Sequence, residues 1–317
     1  MRSNNVLGFI FAATLDDKIP ELASSRTTAS VPIGGKYRII DFDLSNMSNS
    51  GISNVGIVAK SNFQSLMDHV GSGSAYDLSK RRSNLSILPP YDGKAFSSFV
   101  ETIYNMHGYI EHCREEYVLI SQGNVITNID YTDVFDFHSK KKADITLIYK
   151  NHAIPQGYDR PITLDVDNDG KVNQIFVKPG VVDKGVFNHA YGSILIKKDP
   201  LMSEIRNAIS VNQLDVRRLI QSSLGKYSIY AYENKGYCAA ISSINDYFEF
   251  NMDLMKKEVR DELFNPQRPI YTKVRDDAPS RYGLTSNVKN SIIAQGCVIN
   301  GEVENWVISK GVYVGGG

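Results

Sequence analysis

The sequence predicts an α/β protein with a mixed, mostly parallel sheet, because short apolar runs alternate with helix-periodic segments along most of its length. Three runs carry the prediction: residues 6–12, 55–59 and 117–121, each short and free of charged side chains apart from its edges. Such runs are typical of strands that are buried on both faces of a parallel sheet. The segments between them have the period of helices that would cover the two faces.

Charge and composition exclude several classes of protein. The chain has 317 residues, 42% of them apolar, with 35 Lys and Arg against 35 Asp and Glu. This balance gives no overall field that would favour nucleic acid or an anionic membrane. Three cysteines, Cys113, Cys238 and Cys297, lie far apart, and their spacing indicates neither a metal site nor a disulfide framework. We therefore expect a protein of the reducing cytoplasm.

The N-terminal apolar run is interpreted as a buried strand rather than a signal peptide, because it is short and follows one basic residue. No apolar segment approaches the roughly 20 residues that a membrane-spanning helix needs.

The remaining elements follow from periodicity and turn residues. Helices are predicted at 40–50, 63–70, 99–112, 130–141, 201–223 and 244–261, and further strands at 145–150, 161–166 and 227–232. Gly51 would end the first long helix, and residues 167–170 would form a turn. Residues 68–98 are rich in Gly, Ser, Pro and charge, which predicts a loop.

The C-terminal part has a different period. Apolar residues recur six apart, from Ile292 to Val298 and from Ile308 to Val314. This spacing indicates the coils of a left-handed parallel β-helix. We expect an α/β domain at 1–262, a Pro-containing linker at 263–284 and a truncated left-handed β-helix at 285–317, with about one and a half coils where roughly three are needed for a solenoid core.

Residues 31–52 carry the strongest motif, VPIGGKYRIIDFDLSNMSNSGI. The segment resembles F-G-G-K-[FY]-R-[IL]-I-D-F-x-L-S-N of the ADP-glucose pyrophosphorylases (glucose-1-phosphate adenylyltransferases). The resemblance extends over essentially the whole chain. It implies a Rossmann-like nucleotidyltransferase domain followed by the family's β-helix. Within the family, the chain most resembles the non-catalytic GlgD-type regulatory subunit.

The positions that carry the family's chemistry are changed. In the family's G-G-x-G-T-R-L segment, the glycines are replaced by Ala13, Thr14 and Asp16, and the arginine is replaced by Lys18. Thr28 replaces the lysine of R-A-K-P, and Glu101 replaces the glycine of R-G-T-A-D-A. Asn124 and Ala240 replace two metal-binding aspartates. The family's glycines expose backbone N–H groups to a triphosphate. Adjacent Asp16 and Asp17 would instead repel phosphate by roughly 1 kcal/mol or more per contact, so this loop is interpreted as an exposed turn.

The resemblance implies Mg²⁺ and ATP as the family's cofactors. Because both metal carboxylates are replaced, we expect no cofactor, no metal and no catalytic residue in this chain. A residual sugar-phosphate pocket is expected at Lys178, Tyr191 and Gly192, which match two of the family's sugar-binding segments. Whether that pocket is occupied stays open.

Lys36 and Arg38 are candidates for binding an anionic effector, since the family's lysine in this segment takes part in binding phosphorylated effectors. Their alternation would place both on one face of an extended backbone. The alternative is that they line an interface or pair with Asp41 or Asp43.

Three functions are weighed. The first is a regulatory or structural subunit of glucose-1-phosphate adenylyltransferase in glycogen biosynthesis, with little or no catalysis of its own, in a heterotetramer with a catalytic homologue. The second is an active adenylyltransferase that makes ADP-glucose from ATP and glucose 1-phosphate. The third is a free sugar-phosphate sensor.

Overall fold

The computed structural model describes residues 5–13, 16, 18–60, 62–80, 83–89, 98–153, 161–177, 185–274 and 276–316. The strands of the α/β part are β1 (Val6–Phe11), β2 (Pro32–Ile33), β3 (Tyr37–Arg38), β4 (Asn54–Val58), β5 (Asn84–Leu88), β6 (Tyr117–Ser121), β7 (Val125–Thr127), β8 (Ile145–Ala153), β9 (Ile162–Val166), β10 (Val172–Val177), β11 (Val186–Lys197), β12 (Ile229–Glu233) and β13 (Cys238–Ala240). The helices are α1 (Pro20–Ala23), α2 (Ile39–Asn49), α3 (Gln64–Val70), α4 (Phe99–Asn105), α5 (His107–His112), α6 (Tyr131–Lys141), α7 (Lys198–Ser210), α8 (Val216–Ser222), α9 (Ile244–Asp253) and α10 (Lys257–Leu263).

The main sheet is mixed, as the sequence predicts. Its described strands run in the order β10-β9-β11-β6-β1-β4-β5, with β8 on β11 and β12 on β8. Strands β6, β1, β4 and β5 are parallel neighbours, whereas β11 is antiparallel to β6. The carboxyl ends of β1 and β6 therefore lie side by side, at the edge of the sheet where ligands of α/β proteins bind.

Strand β1 is buried along its whole length because helices cover both faces of the sheet. Leu7 and Phe9 pack into a core on one face, while Val6 and Ile10 pack into a second core on the other. This alternation follows from the two-residue period of a strand and explains why the run is apolar at every position.

The start of α2 is fixed by a buried carboxylate. Asp41 Oδ2 accepts a hydrogen bond from the backbone N–H of Arg38 at 2.9 Å. Its Oδ1 accepts one from Tyr76 Oη at 2.6 Å and lies 2.6 Å from His69 Nε2. Asp41 is completely buried and so connects the first turn of α2 to α3 and to the short 3₁₀ turn at Ser74–Tyr76.

Several predicted elements differ from those observed. The segment predicted as a loop at 68–98 contains β5, whose five residues pair in parallel with β4. The sequence hides this strand because it is half-buried at the sheet edge and flanked by Gly, Ser and Pro.

Three long predicted helices are each divided in two. The helix at 99–112 breaks at Met106, and the helix at 201–223 is interrupted by 211–215, where Asn212 takes a left-handed conformation with φ 53°. The helix at 244–261 breaks before Lys256, whose backbone is extended. Apolar periodicity continues across these breaks, so it could not locate them.

The C-terminal strands are stacked in parallel. They are β14 (Arg281–Tyr282), β15 (Asn287–Lys289), β16 (Ile292–Ile293), β17 (Val298–Ile299), β18 (Glu302–Glu304), β19 (Val307–Ile308) and β20 (Tyr313–Val314). Strand β17 pairs with both β14 and β20, β15 pairs with β18, and β16 pairs with β19. Cys297, Ile299, Val303 and Ile308 form the buried centre. This parallel stacking is compatible with the predicted β-helix.

Each described helix is too short or too polar to cross a bilayer.

A second carboxylate of α2 is buried with less support. Asp43 accepts a hydrogen bond from Ser121 Oγ at 2.7 Å, while its Oδ2 has no hydrogen-bond partner among the described residues. Burial therefore raises the pKa of Asp43 from about 3.8 to about 7. Because the folded chain keeps this proton more tightly than the unfolded chain, stability from the protonated group is full below about pH 4 and is lost as pH rises through about 7.

Asp43→Asn should therefore remove a pH-dependent penalty. We expect the variant to be more stable than the parent at pH 8, on the order of 2–4 kcal/mol, because it never buries a charge. The difference should shrink or reverse at pH 4.5, where Asp43 is protonated. Urea unfolding at both pH values measures this. Asp41→Asn is the control and should destabilise at both; an Asp43→Asn effect that is equal at the two pH values would contradict the assignment.

Candidate functional site

The carboxyl edge of β1 and β6 is held together by a glycine. Gly123 follows β6 with φ 66°, and a Cβ placed there would lie 2.4 Å from the carbonyl oxygen of Phe11. A side chain is excluded at that distance, so the turn after β6 can pass beside the end of β1 because this residue is glycine.

Asn124 and Ala240, the two positions that the resemblance assigns to metal carboxylates, lie next to each other. The backbone N–H of Ile241 donates to the Asn124 carbonyl at 2.9 Å, and Asn124 Nδ2 donates to the Ile241 carbonyl at 3.2 Å. Ala240 pairs with Val125 between β13 and β7. The sequence thus selects two positions 116 apart in the chain that the fold brings into contact.

These two positions offer a divalent cation little. Asn124 Oδ1 is buried without a hydrogen-bond partner among the described residues, and such an oxygen can ligate Mg²⁺. It carries no charge, however, and the Ala240 methyl group supplies no ligand. The described residues also contain no group of three or more His, Cys, Asp or Glu arranged to hold a metal ion. A cation here would depend on Asn124 together with phosphates and water.

The loop after β1 is hydrogen-bonded to the segment that precedes β2. Asp16 Oδ1 accepts hydrogen bonds from Thr28 N at 2.7 Å and from Thr28 Oγ1 at 2.6 Å. The backbone N–H of Ala29 donates to the Ala12 carbonyl at 3.0 Å, which adds a second tie.

The expectation that this loop is an exposed turn is wrong for Asp16. Its carboxylate is partly buried against Thr28, and Ala13 is buried at the end of the strand. Lys18 is exposed, and Thr14 lies outside the described residues. Asp16 stands at the position of the family's third loop glycine, and Thr28 stands at the position of its lysine. These two substituted residues are thus hydrogen-bonded to each other where the resemblance predicts a triphosphate.

Glu101 has a structural position in the first turn of α4. Its backbone N–H donates to Ser98 Oγ at 3.1 Å, so Ser98 caps the helix. A carboxylate in the first turn is favourable because it faces the positive end of the helix dipole.

The candidates for a sugar pocket are partly brought together. Tyr191 and Ala240 line one small cavity of about 160 Å³. Gly192 has φ 97°, and a Cβ there would lie 2.3 Å from Gln122 Nε2, so the Gln122 side chain covers this glycine. Lys178 lies outside the described residues.

Two histidines in this cavity escaped the sequence analysis. His152 on β8 and His189 on β11 are stacked with ring centroids 5.4 Å apart. Burial lowers the pKa of His189 to about 3, and burial followed by the charge of Lys150 lowers that of His152. Both rings are therefore neutral near pH 7. They are 37 residues apart in the chain, so no local spacing could have paired them.

Lys36 and Arg38 differ in exposure and in contacts. Lys36 is exposed in the turn before β3, with its Nζ 5.6 Å from the Tyr37 ring centroid. Arg38 is partly buried and its Nη1 donates to the carbonyl and the hydroxyl of Ser65, at 2.6 and 2.9 Å. Arg38 therefore connects β3 to the start of α3, while Lys36 lies in the preceding turn.

The adjacent glycines shape this turn. Gly34 and Gly35 have φ 55° and 73°, and a Cβ on Gly35 would lie 3.1 Å from the Ala294 Cβ. The turn is thus packed against the C-terminal strands, away from Asn124 and Asp16.

Comparison with known proteins places these features in context. The family model described as nucleotidyl transferase matches residues 17–257. The chain is 37% identical to a glycogen biosynthesis protein GlgD of Geobacillus stearothermophilus, with 99% of this chain and 82% of the relative covered. It is 30% identical to a glycogen biosynthesis protein GlgD of Bacillus subtilis, covering 100% of this chain and 83% of the relative. A glucose-1-phosphate adenylyltransferase of Clostridium acetobutylicum is 31% identical, over 99% of this chain and 84% of the relative.

The expectation that the chain has no cofactor is wrong. The matched family consists of nucleotidyl transferases, which are normally Mg²⁺-dependent, and an adenylyltransferase aligns with nearly the whole chain. Replacement of two carboxylates changes the ligands available to a cation, but it does not show that Mg²⁺ or nucleotide binding is lost.

The bond between Asp16 and Thr28 makes a stability prediction. Thr28→Val keeps the shape of the side chain and removes the hydroxyl donor to a carboxylate, which should destabilise the fold by about 1–3 kcal/mol in urea unfolding. Thr27→Val is the matched control, because Thr27 Oγ1 is buried without a partner among the described residues and its loss should be neutral or stabilising. Equal effects of the two substitutions would show that the bond contributes nothing.

Proposed function

The chain belongs to the ADP-glucose pyrophosphorylase family of nucleotidyl transferases and is GlgD-like, and we propose that it is a regulatory subunit of glucose-1-phosphate adenylyltransferase in glycogen biosynthesis, with little catalysis of its own. The observation that supports this most strongly is the closed contact between Asp16 and Thr28. These two residues occupy the position that a triphosphate would need, and they are hydrogen-bonded to each other.

Loss of charge at the transfer site supports low catalytic power. Phosphoryl chemistry depends on groups that neutralise charge as it develops on the phosphates. At Asn124 and Ala240 the chain has a neutral amide and a methyl group. Removing one preorganised charge-stabilising donor costs about 10²–10³ in rate, so several such losses leave little turnover.

Retention of the rest of the domain favours a subunit role. The cores around β1, the Asp41 network and the stacked C-terminal strands are intact, although they serve no chemistry directly. Because relatives that align over nearly all of this chain include adenylyltransferases, the partner we propose is a catalytic homologue, in a cytoplasmic heterotetramer. The C-terminal strands, from β14 onward, would form part of a left-handed β-helix in that assembly.

An anionic effector is proposed at Lys36. Its ammonium group is exposed, and the glycine turn beside it packs on the C-terminal strands, so a phosphate bound to Lys36 would lie close to that packing contact. Arg38 contributes indirectly by fixing the adjacent segment through Ser65.

One observation favours a second function, that of an active adenylyltransferase. Asn124 Oδ1 is buried without a hydrogen-bond partner among the described residues, at the position of a family carboxylate. A cation held by this oxygen and by nucleotide phosphates would allow some transfer.

The subunit role is tested by kinetics with a catalytic homologue from the same cell. The purified chain should form ADP-glucose at below about 1% of the homologue's rate, because charge stabilisation is missing. Co-expressed with the homologue it should co-purify and change the homologue's KM or effector response. Turnover equal to that of the homologue would favour the active enzyme, and separate elution without any kinetic change would reject the subunit role.

Restoring the carboxylates alone should not restore activity. The double variant Asn124→Asp with Ala240→Asp should raise ADP-glucose formation less than about tenfold, since the Asp16 loop still obstructs the phosphates. The comparison is the same double variant with Asp16→Gly added, which should be the more active. If the double variant alone reaches the rate of a catalytic homologue, the loop is not the obstacle.

A further inference from the structure

One of the larger concavities of the described residues has a lining that includes none of the candidate site residues. A cleft of about 810 Å³ lies between α6, the turn at 167–170, the end of β12 and the segment after α10. This volume is typical of ligand clefts, which range over roughly 300–1,000 Å³. None of Asp16, Asn124, Tyr191, Lys36 or Ala240 lines it.

The cleft is built on a rigid frame. Gly170 has φ 84°, and a Cβ there would lie 3.0 Å from Phe137 Cζ, so the turn packs directly on α6. Phe137 in turn contacts Tyr232 edge-on, with ring centroids 5.6 Å apart. The two walls are thus joined through aromatic packing.

The cleft has aromatic surface beside polar groups. Tyr149, Phe137 and Tyr232 line it and are each partly exposed. Burial, with the carboxylate of Glu233, raises the pKa of Tyr149, and burial, with Asp133 and Asp130, raises that of Tyr232. Both hydroxyls are protonated donors near pH 7. Rings with a polar tip suit ligands that combine C–H faces with hydroxyl groups.

The charges disfavour a phosphorylated ligand. Of the described residues that line the cleft, six carry carboxylates and four carry ammonium or guanidinium groups. Two of the cations are already paired, Lys141 with Asp169 and Arg268 with Asp130. Exposed Asp133 and Glu233 stand against exposed Lys140 and Lys235. A phosphate would find no surplus of positive charge, whereas a neutral polyhydroxyl ligand can use donors and acceptors of both kinds.

A buried acceptor at the base of the cleft provides an independent indication of a ligand. Asn128 is 8% exposed and lines the cleft. Its Nδ2 donates to the carbonyls of Leu263 and Arg268, at 2.8 and 2.9 Å, which fixes the orientation of the amide. Its Oδ1 has no hydrogen-bond partner among the described residues. A buried acceptor without a donor is costly. This oxygen has almost no accessible surface, so a ligand hydroxyl would satisfy it after a small local movement of the cleft wall.

We propose that this cleft binds a neutral oligosaccharide, through pyranose stacking on its tyrosines and hydroxyl contacts to Asn128, Asp133 and Glu233. The choice of an α-linked glucan rests on the proposed role in glycogen biosynthesis. Bound in this way, the subunit would keep ADP-glucose synthesis beside the polymer that consumes the glucosyl group.

The test is calorimetric titration of the whole chain, alone, with maltoheptaose. We expect saturable binding in the parent chain, about tenfold or more weaker binding in the double variant Asp133→Ala with Glu233→Ala, and unchanged binding in Asp136→Ala. Asp136 is the matched control, because it is an exposed aspartate of α6 that does not line the cleft. All three substituted residues are exposed, so the variants should fold, and circular dichroism checks this.

Absence of saturable binding by the parent chain would overturn the proposal, as would equal binding by the double variant. Loss of co-purification with the catalytic homologue in that variant would also overturn it, because the cleft would then dock protein. Maltoheptaose binding by a chain that forms no complex with a catalytic homologue would reject the subunit role and leave the oligosaccharide site standing.

Discussion

The contact between Asp16 and Thr28 is the constraint on which the function of this chain depends. A carboxylate that accepts two hydrogen bonds, at 2.7 and 2.6 Å, from one threonine is a strong local bond. It closes the space between the loop after β1 and the segment before β2. The family's glycines in this loop would expose backbone N–H groups to a triphosphate. The proposed loss of catalysis follows from this contact, because bonded side chains occupy that position instead.

The remaining catalytic edge shows the same separation of shape from charge. Gly123 still allows the end of β6 to pass beside Phe11, and Asn124 still bonds to the strand that carries Ala240. Asn124 and Ala240 therefore lie side by side, as two ligands of one cation would, but neither side chain carries a negative charge. An amide oxygen can still ligate Mg²⁺, so cation binding can remain where catalysis is weak. The proposed subunit role depends on weak catalysis and not on loss of cation binding.

Much of this architecture follows from the sequence, for identifiable reasons. The buried strands can be predicted because both of their faces are covered, which makes their sequences apolar. Asn124 and Ala240 are predicted site positions because they align with charged residues in two motifs of the family. Strand β5 and the helix breaks near Met106 and Asn212 were missed, since edge position and single-residue conformation leave no periodic trace. The bond of Asp16 to Thr28, the histidine pair and the cleft around Asn128 all join distant segments, so only the folded chain shows them.

We propose that this chain adds structure and regulation to a catalytic assembly and contributes little adenylyl transfer itself. The most direct measurement is ADP-glucose formation by the mixed assembly after the catalytic homologue has been inactivated by substitution of its own metal-binding carboxylates. We expect an assembly of normal size with turnover below about 1% of that of the assembly with an active homologue, since every fully competent site would belong to the homologue. Turnover well above that level would have to come from this chain and would contradict the proposed subunit role.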